Sequence, residues 1–75
     1  MAYQPRPKNG FLDQYEFYRV IEGRKVYRGN DRYYSWDELH GEVEVFNKTG
    51  YHLGSVDAIT GEYKKGAVRG RRIHL

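Results

Sequence analysis

His40-Gly41-Glu42-Val43-Glu44-Val45-Phe46-Asn47 is the stretch whose reading decides the fold. Val43 and Val45 alternate with Glu42 and Glu44, a period of two that marks a half-buried β-strand. Lys48-Thr49-Gly50 then reads as a tight turn and Tyr51 to Asp57 as the returning strand, with Gly54 weakening it or marking a bulge. Upstream, Arg24 to Arg28 and Arg32 to Trp36 flank Gly29-Asn30-Asp31, a second hairpin. Downstream, Thr60-Gly61 turns the chain again, and Glu62 to Lys65 and Arg71 to His74 are candidate short strands. An antiparallel meander is therefore expected over residues 23–75.

The N-terminal part follows another pattern. Pro5 and Pro7 make residues 1–9 an irregular lead-in. Asn9 is a favourable N-cap, and Phe11, Tyr15 and Tyr18 recur at i, i+4, i+7. This predicts a helix from Gly10 to about Val20, within residues 10–22. The expected fold is α+β: a short N-terminal helix packed on a small, strongly twisted antiparallel sheet, as one domain over residues 1–75.

Composition narrows the function. Seventy-five residues hold one small core, and 16% aromatic content supplies much of its area. Mean hydropathy is -0.92. No apolar run approaches the roughly 20 residues that cross a bilayer, so no membrane span is expected, and the start of the chain lacks the apolar stretch of a secretory signal. With no cysteine, disulfides, thiolate metal sites and cysteine nucleophiles are excluded. So small a chain leaves little room for a deep cofactor pocket; no cofactor is expected, and a surface site acting on something larger fits better.

Charge is unevenly spread. Residues 1–30 carry six basic and three acidic side chains, residues 31–62 two basic and seven acidic, and residues 63–75 five basic and none acidic. A passive RNA binder gains nothing from carboxylates near phosphate. Carboxylates inside a basic frame point to chemistry on a polyanion. Strand alternation projects His40, Glu42 and Glu44 from one face, with Asp37 just before them. Ribonucleolytic transesterification needs such a set: a base for the ribose 2′-OH, an acid for the departing 5′-oxygen, and a cation for the charge on phosphorus. Glu44 and His40 suit the first two roles and Arg71 the third.

Each feature also has an ordinary reading. His and Glu alternating with Val describes any half-exposed strand. A divalent metal on His40, Glu42 and Glu44 is weaker, because strand spacing spreads the ligands. Trp36 fits core packing better than base stacking. His52 is a second candidate site residue or an ordinary surface histidine. Lys64, Lys65, Arg69 and Arg72 fit phosphate contact better than a solvated tail.

Tyr34-Ser35-Trp36-Asp37-Glu38-Leu39-His40-Gly41-Glu42-Val43-Glu44 resembles the Tyr-x-Trp-Asp-x-x-His-Gly-Glu-x-Glu signature of the cytotoxic ribonuclease domain of ribosome-inactivating colicins. The likeness continues through His52-Leu53-Gly54-Ser55, Asp57, Thr60-Gly61, Lys65-Gly66, Arg71 and Ile73, so it spans about residues 32–73. It implies a metal-independent endoribonuclease toxin that cuts small-subunit (16S) ribosomal RNA in the decoding centre. Asp37, His40, Glu44 and Arg71 match the family's catalytic positions, with Glu44 as base, His40 as acid, Asp37 tuning His40 and Arg71 stabilising the phosphorane. Glu42 and His52 match accessory positions. Arg69 and Arg72 flank Arg71 as rival assignments, and residues 1–22 match poorly.

The chain carries no receptor-binding or translocation segment, so the expectation is a cytoplasmic toxin acting on bacterial ribosomes, or a domain released as part of a larger toxin. Its partners would be the ribosome and a neutralising immunity or antitoxin protein, with no DNA target. The alternatives are a ribonuclease cutting transfer RNA or ribosome-bound messenger, and a non-catalytic basic RNA-binding module.

Overall fold

The computed structural model describes residues 5–75. Six strands follow one another: β1 (Glu16–Ile21), β2 (Arg24–Gly29), β3 (Arg32–Asp37), β4 (Glu42–Asn47), β5 (His52–Asp57) and β6 (Tyr63–Gly66). They form one antiparallel sheet in the order β1-β2-β3-β4-β5-β6, so each strand pairs with its neighbour in sequence. The β2–β3 hairpin turns at Asn30-Asp31, both at positive φ (53° and 59°), the paired left-handed geometry whose twist matches the flanking strands.

The expected N-terminal helix is not there, and the α+β class gives way to an all-antiparallel sheet. Among the described residues, the one helical piece is a 3₁₀ turn, Phe11–Gln14. Asn9 sits at φ 57° and does not cap it; the capping position is Gly10, with no side-chain hydrogen bond. Residues 16–21, placed in the helix by the aromatic stripe, form β1. Phe17, Tyr18, Val20 and Ile21 are strand formers, and Glu22-Gly23, both at positive φ, closes a tight hairpin back to β2. A register shift between Phe17 and Arg19 breaks the period of two that would have revealed the strand.

The helical spacing of Phe11, Tyr15 and Tyr18 is thereby split between two faces. Phe11 and Tyr15 pack on Tyr34, the Tyr15 and Tyr34 rings stacked at 4.1 Å, while Tyr18 meets Tyr33 at 5.1 Å. Opposite residues of an antiparallel pair share a face. Trp36, Val43 and Val56 form one such row, and Tyr34 and Val45 belong to the next. Leu12 and Ala58 close this side into the core. The N-terminal segment covers it as the helix was expected to, fixed by the Phe11 N–H donating to the Ala58 carbonyl at 2.8 Å. The expected strand over Arg71 to His74 reduces to one bridge, Tyr51 to Arg72.

Candidate active site

The face opposite the core is polar in its middle. Ser35, Glu44, Ser55 and Lys65 lie side by side on β3 to β6, and Asp37, Glu42 and Asp57 form the next row. Ser35, Asp37, Glu42, Glu44, His52 and Ser55 are all buried. Burying charge is costly unless it is paired, and each of these carboxylates is paired.

Glu44 sits at the centre. Its Oε1 lies 3.2 Å from Arg71 Nη1, and its Oε2 is bonded by His52 Nε2. His52 Nδ1 accepts the Val68 N–H at 2.8 Å, so the ring proton resides on Nε2 and is donated to Glu44. His52 reaches this face through a bulge. Phe46 opposes His52 and Val45 opposes Gly54, leaving Leu53 as the extra residue. Strict alternation would have put His52 on the other side from Ser55. The backbone fastens the same corner, with the His52 N–H donating to the Arg71 carbonyl at 3.0 Å. Arg71 is thus the arginine that meets Glu44. Arg72 instead lies 4.8 Å over the Tyr51 ring, and Arg69 is exposed.

Asp37 organises the other half. Its Oδ1 accepts the N–H groups of Leu39 and His40 at 3.1 and 3.2 Å, and its Oδ2 meets His40 Nδ1 at 2.7 Å. His40 therefore does not sit on β4, as the alternation suggested. It belongs to the Asp37–Gly41 turn, closed by the Gly41 N–H on the Asp37 carbonyl, and Asp37 draws it onto the face. Burial opposes ionisation of Asp37. The hydrogen bonds from the His40 ring and backbone, with the Arg24 and His40 charges, outweigh it and hold the carboxyl below its ordinary range.

Glu42 is held by Lys65 at 3.0 Å and Lys64 at 3.7 Å; Lys64 also approaches Asp57 at 4.0 Å. Two consecutive lysines serve one carboxylate because the β5–β6 register shifts between Ser55 and Val56. The basic C-terminal stretch and the acidic centre are therefore interleaved. Among the described residues no three of His, Asp or Glu come together as metal ligands; His40, Glu42 and Glu44 each have partners of their own.

The sequence reading missed Arg24. Its Nη2 is 4.0 Å from Asp37 Oδ1, and with Ser35, Phe46, Arg71 and Arg72 it lines a cleft of about 300 Å³ between the β1–β2 hairpin and the C-terminal segment. The Val26–Ser35 pairing, continued two residues, sets Arg24 opposite Asp37. Reading Gly29-Asn30-Asp31 as a three-residue turn would set Arg24 opposite Trp36; the two-residue Asn30-Asp31 turn moves the register by one and brings Arg24 to Asp37.

Residues 21–74 match the family model described as Cytotoxic. The chain belongs to that family, the colicin E3-type cytotoxic ribonuclease domain. No curated protein matches the chain. As a Cytotoxic domain it is a toxin of the nuclease type. The 3₁₀ turn and most of β1 precede the matched span, so one wall of the core in this Cytotoxic domain comes from residues outside it.

Proposed function

We propose that this protein is an endoribonuclease that cuts 16S ribosomal RNA in the decoding centre by transesterification. The observation that carries the reading is the Glu44 carboxylate, held between Arg71 and His52 on the same sheet face as the His40–Asp37 pair. Glu44 takes the proton of the ribose 2′-OH, and the 2′-oxygen attacks phosphorus. As the P–O5′ bond breaks, His40 delivers a proton to the 5′-oxygen. The products are a 2′,3′-cyclic phosphate and a 5′-hydroxyl.

Because Asp37 occupies Nδ1 of His40, Nε2 is the nitrogen that transfers the proton. Arg71 and Arg24, which line the same cleft, attract the scissile phosphate and stabilise the charge that builds on it. His52 holds Glu44 in place. Every step is thus assigned to a side chain, consistent with a metal-independent reaction.

The protein acts in the bacterial cytoplasm, and a cell that makes it needs a neutralising immunity protein. Steering of that partner would draw on the exposed cations of residues 64–72. The test is to incubate the protein, with chelator present, with intact ribosomes, naked ribosomal RNA and transfer RNA. One discrete 3′ fragment from intact ribosomes is expected. Cleavage of transfer RNA alone would redirect the reading to that substrate, and no cleavage would leave a binding module. Glu44→Gln should slow cleavage by about 10²–10⁴-fold, the usual contribution of a general base.

A further inference from the structure

The register shift that disguises β1 also re-aims its side chains. Phe17 opposes Tyr27 and Arg19 opposes Val26, which leaves Tyr18 as the extra residue. Cross-strand partners share a face, so Arg19, Val26, Ser35 and Glu44 form one row across β1 to β4. Arg28, Tyr33 and Phe46 form the row beside it. The Tyr18 ring joins that second row, 5.1 Å from the Tyr33 ring, with the Arg19 and Arg28 guanidinium carbons 4.7 and 5.1 Å from its centre. Two consecutive residues, Tyr18 and Arg19, thus share the face of Glu44, where strict alternation would have sent one to the other side. We propose that Tyr18, Arg19, Arg28 and Tyr33 are a docking surface for single-stranded RNA and take the strand that runs on from the scissile phosphate.

That the strand runs on from a scissile phosphate rests on the ribonuclease reading. The surface is continuous with the catalytic cleft. Ile21 lines the cleft, and Arg19 stands two residues before it on the same face of β1, about 6.6 Å away by strand geometry. Val26 and Phe46, also in the cleft wall, are the cross-strand partners of Arg19 and Tyr33. Charge selects a polyanion. Among the described residues Arg19 meets no carboxylate, and Arg28 is shared with exposed Glu16 at 2.7 Å. The cleft itself adds Arg24, Arg71 and Arg72 and has one acidic residue in its lining, Glu22. The rings select RNA over other polyanions. A guanidinium over a neutral ring keeps its charge for phosphate, and both the guanidinium plane and the tyrosine ring can stack on an unpaired base. Tyr18 and Arg19 precede the family-matched residues 21–74, so half of this surface is this chain's own.

The probe is an oligonucleotide of about ten 2′-O-methyl nucleotides, within the usual site size of single-strand binders. Without a free 2′-hydroxyl it is not cleaved. Arg19→Ala with Arg28→Ala should flatten the fall of log K with log salt by about 1.4 units, about 0.7 for each phosphate contact of a single strand. Both side chains are exposed, so the core survives their loss. Tyr33→Leu should weaken binding about tenfold and Tyr33→Phe less than about twofold, because stacking needs the ring and not the hydroxyl. An unchanged salt slope in the arginine pair, or full affinity in Tyr33→Leu, would overturn the surface. Polyglutamate that binds as tightly as the oligonucleotide and loses as much in both variants would also overturn it, and would assign the face to an acidic protein.

Ribosome cleavage is measured in parallel, and kcat/KM of the arginine pair should fall about tenfold. An unchanged kcat/KM beside weakened oligonucleotide binding would overturn the continuity with the scissile phosphate. Absence of cleavage by the unaltered protein would overturn the ribonuclease reading, while the oligonucleotide titrations still decide whether this face docks RNA.

Discussion

His40 and His52 both meet a carboxylate, but their surroundings give them different work. The His52 side chain is 1% exposed, with both nitrogens committed, one accepting from Val68 and one donating to Glu44. The His40 side chain is 56% exposed and commits Nδ1 alone to Asp37. His40→Ala should therefore lower cleavage by about 10²–10⁴-fold while moving the urea midpoint little. His52→Ala should lower both, because the buried Glu44 carboxylate loses one of its two partners, at about 1–3 kcal/mol for an unsatisfied buried group, and the Val68 N–H loses its acceptor. Cleavage rates and urea midpoints of the two variants check this. Asp37 allows a pH test. Its carboxyl is held below the ordinary range, so ionised Asp37 favours the folded state above about pH 4, and that contribution is lost as pH falls through the depressed value. Asp37→Asn keeps the oxygen that caps the turn but loses the charge, so its stability should fall less steeply between about pH 5 and pH 2 than that of the unaltered protein. The motif made Asp37, His40, Glu44 and Arg71 legible from sequence. The role of His52 was not, because it depends on a bulge at Leu53 that alternation cannot show.

The β2–β3 and β4–β5 hairpins could be read from sequence because turn residues mark them, whereas the Asp37–Gly41 turn between β3 and β4 could not, since alternation carried the strand back to His40. β1 could not. Its register shift at Tyr18 disguises the strand, and the aromatic spacing it leaves mimics a helical stripe. Arg24 was hidden by turn length, since its place opposite Asp37 follows from the β2–β3 register that the two-residue Asn30-Asp31 turn sets. The Gly54 signal in β5 was legible as a weak point, and the structure supplies the reason. Gly54 has φ 148°, and a Cβ there would lie 2.5 Å from the Lys65 carbonyl and 2.9 Å from the Tyr63 ring. The close approach keeps β6, with Lys64 and Lys65, against Glu42. Gly54→Ala should store about 1–3 kcal/mol of strain and lower Tm by about 5–20 °C for a domain of this size. Calorimetry measures it; an unchanged Tm would show that β6 can move away without loss.

At the scale of the whole molecule, the charge blocks of the sequence are folded onto one another. Seven acidic residues in the middle of the chain looked like a separate acidic centre, yet Glu42, Glu44 and Asp57 lie within ion-pair distance of Lys64, Lys65 and Arg71. The cations of the last thirteen residues are therefore not equivalent toward RNA. Lys64 and Lys65 already neutralise carboxylates, and a phosphate that recruits them must compete with Glu42. Arg72 lies on a neutral ring and Arg69 is exposed, so both keep their full charge for a polyanion. Counterion release turns this difference into a slope: each phosphate contact contributes roughly one unit to the fall of log K with log salt. Arg69→Ala with Arg72→Ala should flatten the salt dependence of RNA binding by about two units. Lys64→Ala with Lys65→Ala should flatten it by less than about one. The lysine pair should instead destabilise the fold, since it leaves the buried Glu42 carboxylate without its cations. Binding titrations across a salt series, with urea midpoints for the same variants, separate the two effects. Equal slope changes for the two pairs would mean that the lysines leave Glu42 when RNA arrives, and that the acidic centre opens on binding.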